Sequence, residues 1–352
     1  MPEIKLTIDG REVRVDEGTT VFRAAKKAGI DIPHLCYRDD LNATAACRLC
    51  LVEVEGSRTL VASCAYPAGE KMVVRTNTDR VLKARKQVIE LLLSDHPNDC
   101  MTCEKSGVCK LEKYAYQYGV KKSRFEGEKH AYPLRATNPF YERDYNKCIL
   151  CARCVTVCHE VQYCTVVDQA NRGFDTKISA FYDRNTLESS CVYCGNCVSV
   201  CPTGALTEKA GHSEARQWET RKVNTICSYC GVGCTLVANV KDNKILKITS
   251  DKDQGVNKGW TCVKGRFGYD YVHSADRLLQ PLVRENGELK QTDWDKALGI
   301  VADGLAKIKK AHGPDSIAFL VSAKCTNEEN YLLQKLARAV IGTNNVDHCA
   351  RL

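Results

Sequence analysis

Two short cysteine runs decide what this 352-residue chain can be. Cys148, Cys151, Cys154 and Cys158 follow the spacing C-x2-C-x2-C-x3-C, and Cys191, Cys194, Cys197 and Cys201 repeat it 43 residues later, with Pro202 after the second run. That spacing wraps three thiolates around one 4Fe–4S cubane and sends the fourth to its neighbour. The expected ligand sets are therefore Cys148, Cys151, Cys154 and Cys201 for one cluster, and Cys191, Cys194, Cys197 and Cys158 for the other. Cysteines this dense leave no room for independent tetrahedral zinc sites.

The chain holds 22 cysteines in all. A chain of this length buries a core without disulfide staples. No apolar run approaches the ~20 residues of a membrane span, and the start, MPEIKLTIDGREVRVDEG, lacks a basic region, an apolar core segment or twin arginines. A cytoplasmic location is expected, and there disulfides are rare. Most of the cysteines should therefore hold metal.

Three further sets read the same way. Cys36, Cys47, Cys50 and Cys64 (C-x10-C-x2-C-x13-C) suit a 2Fe–2S cluster on a loop; zinc would favour a second C-x2-C knuckle, which is missing. His96, Cys100, Cys103 and Cys109 (H-x3-C-x2-C-x5-C) suit a 4Fe–4S cluster. Three cysteines cannot close a four-coordinate site, so His96 is the expected fourth ligand, and imidazole in place of thiolate should raise the potential. Cys227, Cys230, Cys234 and Cys262, within CSYCGVGC and GWTCVKGRFG, suit another 4Fe–4S cluster, with Gly231 and Gly233 letting backbone approach it. Lys264 can project beyond that cluster. Cys164, Cys325 and Cys349 are left over, each expected to be a small buried hydrophobe. The cofactors expected are one 2Fe–2S and four 4Fe–4S clusters.

Metal-bound sulfur is thiolate, which changes the charge arithmetic. Four-thiolate clusters carry about −2 each and the histidine-ligated one about −1. The formal net charge of +8 then falls to about −1 in the loaded chain. The lysines and arginines are better partners for clusters and phosphates than a nucleic-acid surface. There is no GxGxxG with an acidic partner, no G-x4-G-K-[ST] and no Ser-His-Asp grouping, so the chain itself shows no nicotinamide site.

Around the cysteines, EIKLTI and EVRV flank Asp9-Gly10 as a hairpin, and Thr19 or Thr20 caps a helix stopped by Gly29. Strands follow at LVEVEG and KMVVRT. Residues 79–94 form a helix with Val81, Leu82, Val88, Leu91 and Leu92 on one side, ended by His96 and Pro97. Residues 121–140 and 211–222 read as linkers. Strands TLVANV and KILKIT, a helix over 293–311, a buried strand over 316–323 and a helix over 327–342 complete the pattern. The fold class is multidomain α+β. Its domains are a β-grasp 2Fe–2S unit (1–78), a histidine-ligated 4Fe–4S unit (79–120), a linker (121–137), a paired 4Fe–4S unit (138–210), a small 4Fe–4S unit (220–275) and an incomplete α/β domain (276–352).

CSYCGVGC, GWTCVKGRFGYDYVHSADRLLQPLVR and SAKCTNEENYLLQKLARAVIGTNNVDHCARL closely resemble the catalytic subunit of cytoplasmic molybdenum- or tungsten-dependent formate dehydrogenases. The N-terminal modules look like the extension of NAD(P)-linked and acetogen-type members. The resemblance implies a bis-molybdopterin guanine dinucleotide cofactor, with Lys264 as electron bridge between its pterin and the Cys227-type cluster. It implies interconversion of formate and CO2, and partner subunits of flavin/Fe–S diaphorase, ferredoxin-linked or hydrogenase type. In that family HCARL is followed by the metal-ligating selenocysteine or cysteine, which here would fall after Leu352. Selenocysteine is encoded by UGA, and the expectation is that this codon was read as termination; a TAA or TAG would sink the idea. An alternative is a pure electron-transfer subunit like those of complex I or an NAD-linked hydrogenase. Iron-only hydrogenases lack the Cys227–Cys262 set, and nitrate reductases would not bring the whole N-terminal relay.

Overall fold

The computed structural model describes residues 2–349, so the expectation concerning Leu352 lies outside the described residues. The chain divides into two compact units. The first contains everything up to Val223 together with Ala238–Thr249 and Thr261–Val263; the second contains Asn224–Val237, Ser250–Trp260 and the chain from Lys264 onward. The stretch 220–275 thus contributes to both.

In the first unit, β1 (Glu3–Ile8) and β2 (Arg11–Asp16) form the expected hairpin. Asp9 and Gly10 both take left-handed φ (47° and 79°), as a two-residue turn of primed type requires. Thr20 caps α1 (Val21–Lys27) by accepting the Arg23 amide at 3.3 Å, and Gly29 follows with φ 73°. With β3 (Leu51–Val54), β4 (Val61–Ala62) and β5 (Val73–Arg75), the sheet runs in the order β2-β1-β5-β3-β4, β1 and β5 being parallel. Leu6, Ile8, Val13, Val15, Val52 and Val74 alternate onto the inner face against Val21, Phe22 and Ala25 of α1.

Helix α2 (Asp79–Ser94) starts on the Thr78 cap and ends just before His96. Its packed face keeps Val81, Val88 and Leu92 of the expected side and adds Arg85, Ile89 and Glu90, while Leu82 and Leu91 are exposed. The reason is Arg85, whose guanidinium donates to the Leu51 carbonyl at 2.7 Å and turns the helix face towards β3. A helix not expected from the sequence, α3 (Lys110–Gln117), packs Leu111 and Tyr114 beside Ile89, Leu35 and Leu49.

Both presumed linkers are pinned to the first unit. The His130 amide donates to Asp95 at 2.8 Å and its ring stacks on Tyr132 and Phe174; Tyr132 and Asn146 exchange two hydrogen bonds. Further on, Arg216 donates to the Cys103 carbonyl at 2.6 Å and the Ser213 amide to Glu104 at 2.9 Å, and Trp218 lies so close over Gly107 that a Cβ there would clash. Polar composition suggested linkers, but these segments bond to carboxylates and loop carbonyls elsewhere in the first unit.

The paired-cysteine region is framed by β6 (Tyr141–Arg143), which pairs antiparallel with a later strand, Leu206–Glu208. Between them lie α4 (Arg153–Glu160), the hairpin of β7 (Val167–Ala170) and β8 (Lys177–Ala180), and α5 (Asn196–Val200). The 43-residue repeat is visible in the backbone. Leu150 and Tyr193 are left-handed, as are Ala152 and Gly195, the residues preceding α4 and α5.

The second unit contains the cysteine turn 227–234, a short helix Val263–Phe267 that begins in the first unit, and a hairpin of Leu282–Glu285 with Glu288–Gln291. The helix Trp294–His312 is capped by Asp293, and Asn327–Lys335 carries a Thr326–Glu329 capping box before a π-helical turn to Ile341. The strand expected over 316–323 is shorter, Phe319–Val321, and pairs in parallel with Val346–His348. It is not buried: Leu320 is 84% exposed, because among the described residues no helix covers that side. Among the described residues no helix is long and apolar enough to cross a membrane.

Candidate metal centres

Cys36, Cys47, Cys50 and Cys64 come together on the loops flanking α1, β3 and β4, all nearly inaccessible to water. Ala45 and Arg48, at left-handed φ, fold the loop back between them. Cys36 pairs with Cys47 and with Cys64, and Cys64 with Cys50. Cys36 accepts hydrogen bonds from the Cys47 and Cys64 thiols, which holds it far below the ordinary thiol range and pushes those two far above it. Contact with Cys64 draws Cys50 down to about 7. Only part of this set can ionise unaided. Four thiolates there require a cationic core, and the donor chemistry fits a 2Fe–2S group.

His96, Cys100, Cys103 and Cys109 occupy the turn between α2 and α3. The His96 ring is buried, its Nδ1 lies 3.3 Å from the Asn98 amide, and its Nε2 has no partner. Burial lowers its pKa and keeps the imidazole neutral, the form that binds metal. An orphaned, buried ring nitrogen on the turn that carries these three cysteines fits a ligand, since an unmet polar atom there would otherwise be costly. Gly204 approaches this set so closely that a Cβ would sit 2.5 Å from Cys103 Sγ.

The eight cysteines of the repeat face two cavities. The smaller is lined by Cys148, Cys151, Cys154 and Cys201, the larger by Cys158, Cys191, Cys194 and Cys197. Burial pushes the Cys148 thiol up to about 12 and raises Cys151, Cys154 and Cys197 as well. Among the described residues, no three His, Cys, Asp or Glu side chains converge as a single ion would need. The sulfurs instead surround volumes, which fits polynuclear clusters.

Cys227, Cys230 and Cys234 lie in one turn of the second unit, closed by the Cys227 amide on the Cys234 carbonyl at 2.9 Å. Cys262 falls in the first unit's Thr261–Val263. Gly265 leaves room beside Cys227, a Cβ there meeting its Sγ at 3.5 Å. The Lys264 ammonium lies 6.0 Å from the centre of the Tyr229 ring, and the Tyr229 hydroxyl donates to the Gly268 carbonyl.

Five side chains escaped or departed from sequence reasoning. Cys164 is no isolated hydrophobe; it lines the larger cavity with four other cysteines. Cys325 is half-buried and Cys349 exposed, so neither is the buried residue expected. Tyr141 and Arg143 alternate onto the inner face of β6. The Tyr141 hydroxyl donates to the Cys191 sulfur, and Arg143 lines both cavities. Their signal in the sequence was a period-2 pair just before the first cysteine run.

Five family models match the chain in succession. They are a 2Fe-2S iron-sulfur cluster binding domain (residues 1–79), the NADH-ubiquinone oxidoreductase-G iron-sulfur binding region (85–124), the ferredoxin-like domain of NADH-quinone oxidoreductase subunit 3 (138–207), the molybdopterin oxidoreductase Fe4S4 domain (220–274) and molybdopterin oxidoreductase (277–352). The chain is 40% identical over 353 residues to an NADH-quinone oxidoreductase subunit of Rhizobium meliloti, covering 99% of this chain and 40% of that one. It is 38% identical over 349 residues to "NADPH-Fe(3+) oxidoreductase subunit alpha" of Geobacter sulfurreducens, again covering 99% and 40%. It is 34% identical to "Putative formate dehydrogenase SAR2393" of Staphylococcus aureus, covering 98% of this chain and 39% of that protein. The chain thus spans about two fifths of the length of these curated relatives. Among solved structures, it is similar to a chain of "NAD+-reducing [NiFe]-hydrogenase in the H2-reduced state", with TM-score 0.57 and 30% identity, covering 61% of this chain and 91% of that one. The chain therefore belongs to the NADH-ubiquinone oxidoreductase-G-like family of iron–sulfur proteins, its 2Fe–2S and 4Fe–4S modules running on into the start of a molybdopterin oxidoreductase domain.

Proposed function

We propose that this chain is the electron-relaying part of a molybdenum- or tungsten-pterin formate dehydrogenase, with the ligand sets Cys36/Cys47/Cys50/Cys64, His96/Cys100/Cys103/Cys109, Cys148/Cys151/Cys154/Cys201, Cys158/Cys191/Cys194/Cys197 and Cys227/Cys230/Cys234/Cys262. When bound, the clusters supply one-electron redox steps and the pterin centre a two-electron one: formate yields CO2, a proton and two electrons. The chain's own residues bind the clusters, exclude water and set the order of sites. Domain boundaries at residues 78, 120, 137, 210 and 275 belong to the same proposal.

The observation that carries the relay is the continuity of sites within the first unit. The Thr261 amide, next to Cys262, donates to Asn196 between Cys194 and Cys197 at 3.3 Å. Arg143 separates the two repeat cavities. Next to residues lining the smaller cavity, Gly204 approaches Cys103, the Thr44 hydroxyl donates to the Cys151 carbonyl at 3.2 Å, and Arg153 donates to the Tyr37 carbonyl beside Cys36 at 2.6 Å. The order Cys262, larger cavity, smaller cavity, then a fork to the histidine and 2Fe–2S sites follows.

Iron and sulfide analysis tests the relay: about 18 Fe per chain is expected, and stoichiometric zinc overturns it. The formate reading rests on the resemblance of the segments from Cys227 onward and on relatives bearing that name at 34–35% identity. A second reading, an Fe–S subunit of an NAD-linked hydrogenase or complex I-like assembly, is favoured by the higher identity to the NADH-quinone oxidoreductase relative and by the hydrogenase structure. Formate-dependent dye reduction by the full-length protein containing this chain separates them. Nicotinamide-linked reduction with no response to formate selects the second.

A further inference from the structure

The position of Arg143 has a consequence for the two clusters of the repeat. Strand β6 is short, and its residues alternate: Tyr141 and Arg143 point inward and Glu142 outward. Pairing with Leu206–Glu208 fixes the strand, and backbone hydrogen bonds in both directions between Arg135 and Arg143 at 2.9 Å hold its end. The Arg143 side chain is therefore buried, only 8% of the residue being accessible. Its Nη1 donates to the Ile178 carbonyl at 3.2 Å, and its guanidinium carbon lies 5.6 Å from the centre of the Tyr145 ring. No carboxylate lines the larger cavity, and Asp144 lines only the smaller one.

Burying an arginine without a carboxylate pair costs several kcal/mol unless other negative charge compensates it. Here the compensation is on both sides. Arg143 is the cationic residue in the lining of the cavity formed by Cys148, Cys151, Cys154 and Cys201 and also in that formed by Cys158, Cys191, Cys194 and Cys197. Each of these sets, loaded with a cubane, carries about −2 and gains one more negative charge on reduction. A fixed cation in a low-dielectric wall stabilises the reduced form of both neighbours.

We infer that Arg143 is a shared positioning residue that raises the reduction potentials of both repeat clusters together, so that they remain matched for transfer between the two cavities. The inference rests on the ligand sets proposed above. Arginine suits the role because its charge is permanent and its planar fork can stack on Tyr145 while holding Ile178.

The test is a dye-mediated redox titration of the iron-loaded chain followed by electron paramagnetic resonance. In Arg143→Gln, both repeat-cluster midpoints should move to lower potential, while the 2Fe–2S midpoint of the Cys36 set stays in place as an internal control. Arg143→Lys should keep both midpoints close to those of the parent. Unmoved midpoints in a fully loaded Arg143→Gln, or movement of only one of the pair, overturn the inference. Should Arg143→Gln fail to take up iron, Arg143→Lys decides. Full loading at parental midpoints supports the role of the charge, whereas loss of iron or displaced midpoints in the lysine variant leaves Arg143 a folding role and overturns the proposal. Iron analysis of the parent protects the distinction: a parent lacking two cubanes at these cavities refutes the ligand assignment, not merely the role of Arg143.

Discussion

The cysteine loop beside α1 and the two cavities beneath β6 both keep four-sulfur sets out of water, but they treat the protons differently. In the loop the sulfurs pair closely, Cys47 and Cys64 donating to Cys36, which holds Cys36 low and its two donors high. Around the cavities the sulfurs stand apart, burial raises the thiols of both linings, and the compensating charge is supplied by Arg143 between them. A compact binuclear site can be prepared by shared protons. A pair of larger sites needs an external cation, and one arginine serves two cavities.

The sharpest way to break this contrast is to remove one wall. Cys197→Ser should empty the larger cavity and lower iron from about 18 to about 14 per chain, the 2Fe–2S signal of the Cys36 loop persisting in the resonance spectrum. A drop confined to the 2Fe–2S signal would contradict the independence of the two regions.

Support of the loop by the β-sheet gives the next effect. Ile8 is fully buried under α1, so Ile8→Ala should cost roughly 2–5 kcal/mol in denaturant unfolding of the first unit. By contrast, Leu320→Ala in the second unit, where the side chain is 84% exposed, should stay within about 0.5 kcal/mol.

The proton difference itself is read in the metal-free chain. Cys50, lowered to about 7, should ionise near neutral pH, read as thiolate absorbance that Cys50→Ser removes. Cys148, raised from the ordinary 9.0 to about 12, should resist ionisation until the solution is strongly alkaline. The sign for stability follows. A raised thiol stabilises the fold fully below pH 9 and loses that contribution as the pH climbs towards 12, because the unfolded chain ionises first. Cys148→Ser should remove that part of the alkaline loss, followed by thiolate absorbance; the same slope in parent and variant would refute it. A modest effect is expected at the α1 cap, where Thr20→Ala should cost about 1 kcal/mol of thermal stability.

Much of the fold was legible because its signals are local. Asp9-Gly10, the Thr20 cap and Gly29 act within a few residues, and the structure places the hairpin and helix where they indicate. The face of α2 was read only in part, Val81, Val88 and Leu92 packing as expected, because Arg85, a charged residue, also turns inward, towards a carbonyl of β3 distant in sequence. Helix α3 lay hidden between cysteines, and the two presumed linkers looked loose because their partners, Asp95 and the carbonyl of Cys103, lie far along the chain.

By itself the sequence located the cysteine runs and their spacing, from which the proposed ligand sets follow, since a cubane's reach is imposed by chain length between ligands. It also determined the period-43 repeat that the left-handed residues Leu150 and Tyr193 reproduce in the backbone. Only the tertiary structure decided which groups stand between the sets. That Arg143 faces two cavities, that Cys164 joins the larger one, and that His96 leaves Nε2 without a partner are consequences of packing between segments tens of residues apart. Spacing carries covalent reach, whereas the placing of a buried charge depends on every element that closes around it.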